Sequence, residues 1–175
     1  YDPAYFKAGA RVLDLGTGAG FPGLPLLIYR PDLNVTFFDS LQKRLTFLEN
    51  TVRDIGLTAS FLHGRAEEMA HKPEYRSAFD IVTSRAVARL NILAEWALPY
   101  VKTGGYFISL KGAQYEDELA EGEKALQIVG GKIAEVRPVH LPALDDVRAV
   151  LYIEKVKESP KKYPRKPKMA AKNPL

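Results

Sequence analysis

The chain contains no cysteine, and this absence removes several kinds of chemistry at once. Without thiols there is no disulfide framework, no thiolate metal site and no cysteine nucleophile. Only three histidines are present, and because His63, His71 and His140 are scattered along the sequence we expect no metal site. The lack of thiols suits the reducing cytoplasm, where we expect the protein to act.

Long apolar runs are also missing. No window approaches the roughly 18 uninterrupted apolar residues of a membrane span, and no signal peptide is recognisable, so we expect no membrane partner. The chain opens on Tyr1 rather than Met, from which we expect a trimmed or incomplete sequence. A length of 175 residues with 46% hydrophobic residues fits one globular domain, and we expect a monomer.

Acidic residues are scarce near the C-terminus. Between Lys155 and Leu175 the chain carries eight Lys and Arg residues against one acid, Glu158, which leaves the remainder mildly acidic. A concentrated basic segment indicates a polyanionic partner. We therefore divide the chain into a domain over 1–156 and a basic C-terminal tail over 157–175.

Apolar runs of strand length alternate with segments of helix length. Strands are predicted over 11–15, 34–38, 59–63, 79–84, 104–111, 132–140 and 147–156. Helices are predicted up to Tyr29 and over 41–55, 88–99 and 115–129. This alternation predicts an α/β fold with a mostly parallel sheet. Because no helix separates the last two strands, they are expected to form an antiparallel hairpin.

The stretch VLDLGTGAGFPG, residues 12–23, passes from a strand into a loop with alternating glycines. Gly16, Gly18 and Gly20 allow a tight turn and a close approach to a ligand. Asp39 ends the second strand, where a carboxylate can accept hydrogen bonds from both hydroxyls of a ribose. The carboxyl ends of parallel strands form one cleft, which we expect also to contain the segment around Arg85. The pattern predicts a nucleoside-containing ligand.

Two ligand classes fit such a loop. Residues 18–23 formally match the dinucleotide pattern G-x-G-x-x-G, which leaves a nicotinamide oxidoreductase as an alternative. That frame, however, begins three residues after the strand, and Pro22 and Pro25 crowd the helix start that would receive a pyrophosphate. The terminal hairpin also replaces the second nucleotide-binding half. These features favour a ligand without a pyrophosphate.

The motif Asp14-x-Gly16-x-Gly18-x-Gly20 resembles the first motif of class I S-adenosylmethionine-dependent methyltransferases. Several stretches together are similar to the ribosomal RNA small subunit methyltransferase G family, also called glucose-inhibited division protein B: DLGTGAGFPGLPL, FFDSLQKRLTFL, GRAEE, FDIVTSRAVARL and KKYPRKPKMAAKNPL. The resemblance covers essentially the whole chain. It implies a Rossmann-like fold with a seven-stranded sheet, S-adenosylmethionine as cofactor, and methylation of guanine N7 in 16S ribosomal RNA of the small ribosomal subunit.

The resemblance also implies which residues contact the methyl donor, and the position of Asp39 adds the ribose-side acid. The residues expected to bind the cofactor are Gly16, Gly18, Phe21, Asp39, Ala66, Glu67 and Arg85. Arg85 is a candidate either for positioning the donor or the guanine, or for an ion pair with Glu67. The family usually has a helical segment before the first motif, and its tail favours Gly and Pro where this chain has Lys168 and Ala170.

The expected chemistry needs no catalytic general base, since guanine N7 carries a lone pair and no proton at neutral pH. Alignment and exclusion of water are then what the enzyme must supply. The segment SRAVA after the fourth strand lacks the Asn/Asp-Pro-Pro-aromatic run of enzymes that methylate exocyclic amines. The absence of cysteine excludes the covalent route to carbon methylation of pyrimidines.

Basic side chains at the cleft and in the tail are the expected RNA contacts: Arg89, Lys111, Lys161, Lys162, Arg165 and Lys166. The alternatives are a solvated lysine at the strand end and a disordered, solubilising tail. Tyr163 and the interleaved prolines favour a stiff segment that meets RNA phosphates. For the whole chain, methylation of another RNA or of a small molecule, and a non-catalytic RNA-binding protein with this fold, remain alternatives.

Overall fold

The computed structural model describes residues 1–140, 142 and 146–175. Its strands are β1 (Arg11–Leu15), β2 (Asn34–Asp39), β3 (Ser60–His63), β4 (Phe79–Arg85), β5 (Val101–Lys111), β6 (Gly131–Val139) and β7 (Arg148–Lys155). Its helices are α1 (Gly23–Tyr29), α2 (Gln42–Asp54), α3 (Ala66–Met69), α4 (Leu90–Ala97), α5 (Tyr115–Val129) and α6 (Met169–Lys172). A 3-10 turn, Leu98–Tyr100, joins α4 to β5.

The seven strands form one sheet in the order β3-β2-β1-β4-β5-β7-β6. The first five strands are parallel, and β7 runs antiparallel to both β5 and β6. The α/β class, the mostly parallel sheet and the terminal hairpin predicted from the sequence are thereby confirmed. Strand order reverses between β1 and β4, and a cleft for a ligand opens beyond the carboxyl ends of strands at such a point.

The core lies on both faces of the sheet, which explains why the central strands are apolar at nearly every position. In β1, Val12 packs with Leu26 and Leu45 on the face covered by α1 and α2. Its neighbour Leu13 packs with Leu93 and Leu126 on the face covered by α4 and α5. Successive side chains of a strand point to opposite faces, so a strand covered on both sides is a continuous apolar run.

Strand β5 and two short helices differ most from the sequence prediction. Strand β5 begins at Val101 rather than residue 104, and its pairing with β4 shifts register between Phe79 and Ile81. A Cβ on Gly105 would lie 2.5 Å from the carbonyl oxygen of Asp80, so the irregularity requires a glycine there. Helices α3 and α6 were not predicted, because four residues are too few to show a helical period.

Residues 157–175 pack against the rest of the chain. Tyr163 and Ala170 are buried, at 7% and 1% exposure, and Tyr163 belongs to the same apolar cluster as Met69 and Tyr100. The boundary at residue 156 stays a prediction, while these contacts give the tail a fixed place beside α3 and α4.

A buried lysine joins the end of β7 to the tail. Lys155 is fully buried, and its Nζ donates to the carbonyl oxygen of Leu98 and, at 2.5 Å, to Ser159 Oγ. Ser159 Oγ in turn donates to the carbonyl oxygen of Val129 at 2.6 Å. Burial, together with the positive charge of Arg76, lowers the pKa of Lys155 to about 7, and Glu158 opposes this shift.

We expect the free energy of unfolding to rise as the pH increases from about 7 to about 10. In this window the unfolded lysine, with a pKa of about 10.4, binds a proton that folded Lys155 largely lacks. Lys155→Met should flatten the rise, and Lys157→Met, at an exposed position two residues away, should not. Urea unfolding across this range measures the effect. Parallel pH profiles for all three proteins would contradict it.

Candidate functional site

A cavity of about 240 Å³ lies beyond the carboxyl ends of β1, β2 and β4. We call it the small cavity. Gly16, Asp39, Ala66 and Glu67 line it, so four of the seven residues expected to bind the cofactor meet there. Trp96 of α4, which the sequence analysis did not single out, closes part of the wall.

The loop between β1 and α1 is held by the buried carboxylate of Asp14. Asp14 Oδ2 accepts hydrogen bonds from Thr17 Oγ1 at 2.5 Å and from the backbone N–H of Gly23 at 3.1 Å. Oδ1 accepts one from Thr83 Oγ1 of β4 at 3.1 Å. Burial raises the pKa of Asp14, and these hydrogen bonds oppose that rise. The carboxylate therefore braces the loop against two neighbouring elements.

Gly16 is where the loop can carry no side chain. Its backbone N–H and that of Thr17 donate to the carbonyl oxygen of Phe38, at 2.8 and 3.0 Å. Its φ is +68°, and a Cβ would lie 2.6 Å from Val87 Cγ2. A side chain would thus be strained by the backbone and would also displace a residue that lines the small cavity.

Asp39 lies at the end of β2 with 4% of its surface exposed. Its Oδ1 accepts the N–H of Leu41 at 2.9 Å, and its Oδ2 accepts the N–H of Gly18 at 3.0 Å and Arg44 Nη1 at 3.2 Å. Each carboxylate oxygen can accept two hydrogen bonds, so Oδ1 keeps capacity for a ligand hydroxyl. Gly18 thereby contributes to the site by fixing this acid.

Helices α3 and α4 form the outer wall of the small cavity. Glu67 of α3 is 4% exposed and accepts a hydrogen bond from Arg65 Nη2 at 3.2 Å, while the carbonyl oxygen of Ala66 accepts one from Tyr100 at 2.7 Å. In α4, Trp96 Nε1 is buried and has no acceptor among the described residues. A buried N–H without a partner is costly, and an acceptor on a ligand in the cavity would satisfy it.

A second, larger cavity of about 630 Å³ adjoins the first, and Ala86 and Val87 line both. Ala86 has a φ of +54°, which is disfavoured for any residue with a Cβ and is often found at functional sites. Arg85 lines the large cavity, and its Cζ lies 5.3 Å from the centroid of the Phe21 ring. Since Glu67 pairs with Arg65, the structure does not bring Arg85 and Glu67 together as an ion pair.

The two RNA candidates at the cleft are engaged within the protein. Arg89 forms an exposed ion pair with Glu121, with Nη2 and Oε1 2.8 Å apart. Lys111 is 8% exposed, and its Nζ donates to Glu118 Oε2 at 2.6 Å and to the carbonyl oxygen of Ala88 at 2.8 Å. Burial lowers the pKa of Lys111, and Glu118 counters this. The ammonium of Lys111 thus ties α5 to the loop before α4.

The tail candidates separate into two groups. Lys161, Lys162 and Lys166 are exposed. Arg165 instead binds Glu95, a fully buried carboxylate of α4, with Nη2 2.7 Å from Oε2. Glu95 was missed by sequence reasoning, although a single acid within the apolar run LNILAEWAL is the signal of a buried charge that needs a partner.

Two features are absent from the described residues. Residues 1–140, 142 and 146–175 contain no group of three or more His, Cys, Asp or Glu side chains able to hold a metal ion. In the same part of the chain, none of the helices has the length and apolar character needed to cross a membrane.

Comparison with known proteins matches most of the chain to an enzyme family. Residues 3–145 match a family model described as rRNA small subunit methyltransferase G. Ribosomal RNA small subunit methyltransferase G of Lactobacillus acidophilus is 49% identical over 97% of this chain and 71% of its own length. The protein of that name from Pediococcus pentosaceus is 49% identical over 99% of this chain and 72% of its own length. A SAM-dependent methyltransferase from Aquifex aeolicus shares the fold, with a TM-score of 0.64 and 20% identity over 85% of this chain and 84% of its own.

Gly16→Ala is expected to abolish measurable binding of S-adenosylhomocysteine, because the added Cβ displaces Val87 in the small cavity. Gly9→Ala is the matched control: its φ is +69°, and a Cβ there meets nothing within 4 Å. Both variants should lose about 1 kcal/mol of stability from the left-handed backbone. Calorimetric titration and thermal unfolding measure the two effects. Equal loss of binding in both variants would show that strain, and not the collision with Val87, is responsible.

Proposed function

Because the chain belongs to the ribosomal RNA small subunit methyltransferase G family, we propose that it transfers a methyl group from S-adenosylmethionine to N7 of a guanine in 16S ribosomal RNA. The observation that carries this proposal is the pair of adjoining cavities with Ala86 and Val87 as a common wall. A two-substrate transfer needs two binding spaces that meet at one point. The large cavity is the space for the guanine, and the small cavity holds the nucleoside part of the donor.

The residues of the small cavity fit this donor. Asp39 has acceptor capacity for a ribose hydroxyl, and Gly16 leaves the space that a Cβ would fill. Trp96 Nε1 finds no acceptor in residues 1–140, 142 and 146–175 and is therefore able to donate to a ligand. Glu67 adds a buried carboxylate where α3 lines the cavity. When bound, S-adenosylmethionine supplies an electrophilic methyl group on a sulfonium centre. The protein's part is to fix that group at the boundary of the two cavities.

At this boundary the side chains suit alignment rather than proton transfer. Ala86 and Val87, which line both cavities, carry apolar side chains that neither donate nor accept a proton. Guanine O6 lies beside N7 on the same edge of the base and accepts hydrogen bonds. Arg85, stacked on Phe21, is placed to donate to O6 and leave the N7 lone pair free. Because guanine N7 has no proton to lose, no general base is required, and Glu118, a carboxylate that lines the large cavity, is held in an ion pair with Lys111.

The exposed lysines of the tail supply the electrostatic part of RNA binding in this proposal. Lys161, Lys162 and Lys166 stand on a segment with a fixed place beside α4 and are available to phosphates. Arg165 and Lys111 are left out because their donors are already engaged within the protein. We propose that the enzyme acts as a monomer, in the cytoplasm, on the small ribosomal subunit.

Methyl transfer to small subunits that lack the modification tests this function. Nucleoside mass spectrometry should find 7-methylguanosine, and Asp39→Ala should lower transfer at limiting donor because a ribose acceptor is lost. Asp32→Asn removes a partly exposed carboxylate far from the cavities and serves as the matched control. A different methylated nucleoside would refute the acceptor atom, and an Asp39 variant as active as the control would refute the donor site.

Replacing Lys161, Lys162 and Lys166 together by alanine should weaken RNA binding. Each phosphate contact contributes about 0.7 to the slope of log K against log salt for single strands, so the slope should fall by about 2. Lys7, Lys124 and Lys132 are exposed elsewhere, and their triple alanine variant is the charge-matched control. Filter binding at several salt concentrations gives both slopes. Identical slopes for the two variants would remove the tail from the RNA surface.

A further inference from the structure

We propose that the C-terminal tail is a clasp that holds the outer wall of the donor cavity, and that Arg165 is a positioning residue acting through Glu95 on Trp96. This inference rests on the proposed function, since it takes the small cavity as the donor site. If the tail acted only in RNA binding, removing its contacts would leave donor binding unchanged. The contacts described below predict the opposite.

The first contact of the clasp is with α4. Glu95 has no exposed surface, and its Oε1 accepts the backbone N–H of Arg165 at 2.6 Å and its Nε at 3.0 Å. Glu95 Oε2 accepts Arg165 Nη2 at 2.7 Å, and the same Nη2 donates to the carbonyl oxygen of Asn173 at 2.9 Å. A buried charge that loses such a partner is strongly destabilising. The position of α4 is therefore tied to the position of the tail.

The second contact is with the residues that follow α3. Arg76 donates to the carbonyl oxygen of Ala70, directly after α3, at 3.2 Å, and to those of Tyr163 and Ser159 in the tail at 2.9 and 2.8 Å. His71 Nε2 lies 2.8 Å from the carbonyl oxygen of Pro164. Both helices that wall the small cavity are thus joined to one short segment of the tail.

Glu95 and Trp96 transmit the contact to the cavity because they are consecutive in α4. Neighbouring residues of an α-helix differ by about 100° in direction, so Glu95 reaches the tail while Trp96 lines the cavity. Trp96 Nε1 has no acceptor among the described residues that would fix its position. In this proposal its position depends on α4, which the tail holds through Glu95 and Arg165. A shift of α4 would move this donor and the wall together.

The clasp separates the tail's positive charges into two roles. The side chain of Arg165 is 25% exposed, and its N–H groups are used by Glu95 and by Asn173. Lys166, the next residue, is exposed, and within the described residues its side chain makes no hydrogen bond, while its backbone carbonyl accepts the N–H of Met169 at 3.0 Å. Each alanine replacement removes one positive charge from the tail, so comparing the two variants in donor binding distinguishes a positioning role from a simple loss of charge.

The experiment titrates S-adenosylhomocysteine into wild type, Arg165→Ala, Arg165→Lys and the control Lys166→Ala. Trp96 is the one tryptophan in the sequence, so intrinsic fluorescence reports the cavity wall directly. Arg165→Ala should raise the Kd at least about fivefold and shift the Trp96 emission. The Kd of Arg165→Lys should lie between those of wild type and Arg165→Ala, because a lysine keeps the charge and loses the planar, two-pronged guanidinium. In methyl transfer, the KM for the donor should rise with kcat retained.

Each result has one meaning. If wild type binds no S-adenosylhomocysteine, the proposed function fails. If wild type binds and both Arg165 variants match Lys166→Ala in Kd and emission, the clasp is overturned while the function stands. Circular dichroism checks folding. Should Arg165→Ala not fold, Arg165→Lys and Glu95→Gln, which keeps the shape of the side chain and removes its charge, provide the same comparison.

Discussion

A buried carboxylate sets the geometry on which the rest of the cleft depends. Asp14 has no exposed surface, so its oxygens must be satisfied from within, and its three partners belong to the glycine loop, the start of α1 and β4. This requirement fixes the loop independently of any ligand. It also explains Gly23, whose Cβ would lie 2.7 Å from Asp14 Oδ2. The preformed loop then brings the N–H of Gly18 to Asp39, and this carboxylate is oriented before a ligand arrives.

The fold was predictable because its signals are local. Strand-length apolar runs, the break into glycines and the absence of a helix between the last two strands each depend on a few neighbouring residues. The early start of β5 was not predictable, because it depends on pairing with Phe79 across the sheet. The four-residue helices α3 and α6 leave no period in the sequence. These misses concern pairing or length rather than the class of fold.

The site was predictable only in part. The resemblance pointed to Gly16, Ala66 and Glu67, and the position after the second strand pointed to Asp39. The structure brings these four residues to one cavity, since they follow parallel strands that end at the same edge. Which charges face solvent could not be deduced from composition. Lys111 and Arg165 look like free cations in the sequence, yet each meets a carboxylate, and the partner of Arg165 is 70 residues away. The number of basic residues predicts the chemical class of the binding partner. Ion pairs formed within the fold between distant residues decide which of those basic side chains are available to it.

The place of residues 163–173 against α3 and α4 has a consequence for synthesis. The ribosome synthesises the chain from its N-terminus to its C-terminus. Every strand of the sheet therefore leaves the ribosome before Arg165, the residue that pairs with Glu95. Until Arg165 leaves the exit tunnel, a carboxylate destined for the interior is without its counter-ion. The small cavity, whose wall includes Trp96 of α4, is therefore among the last parts of the molecule to mature. A chain ending at Lys155 would contain the whole sheet and still lack the cation on which α4 depends.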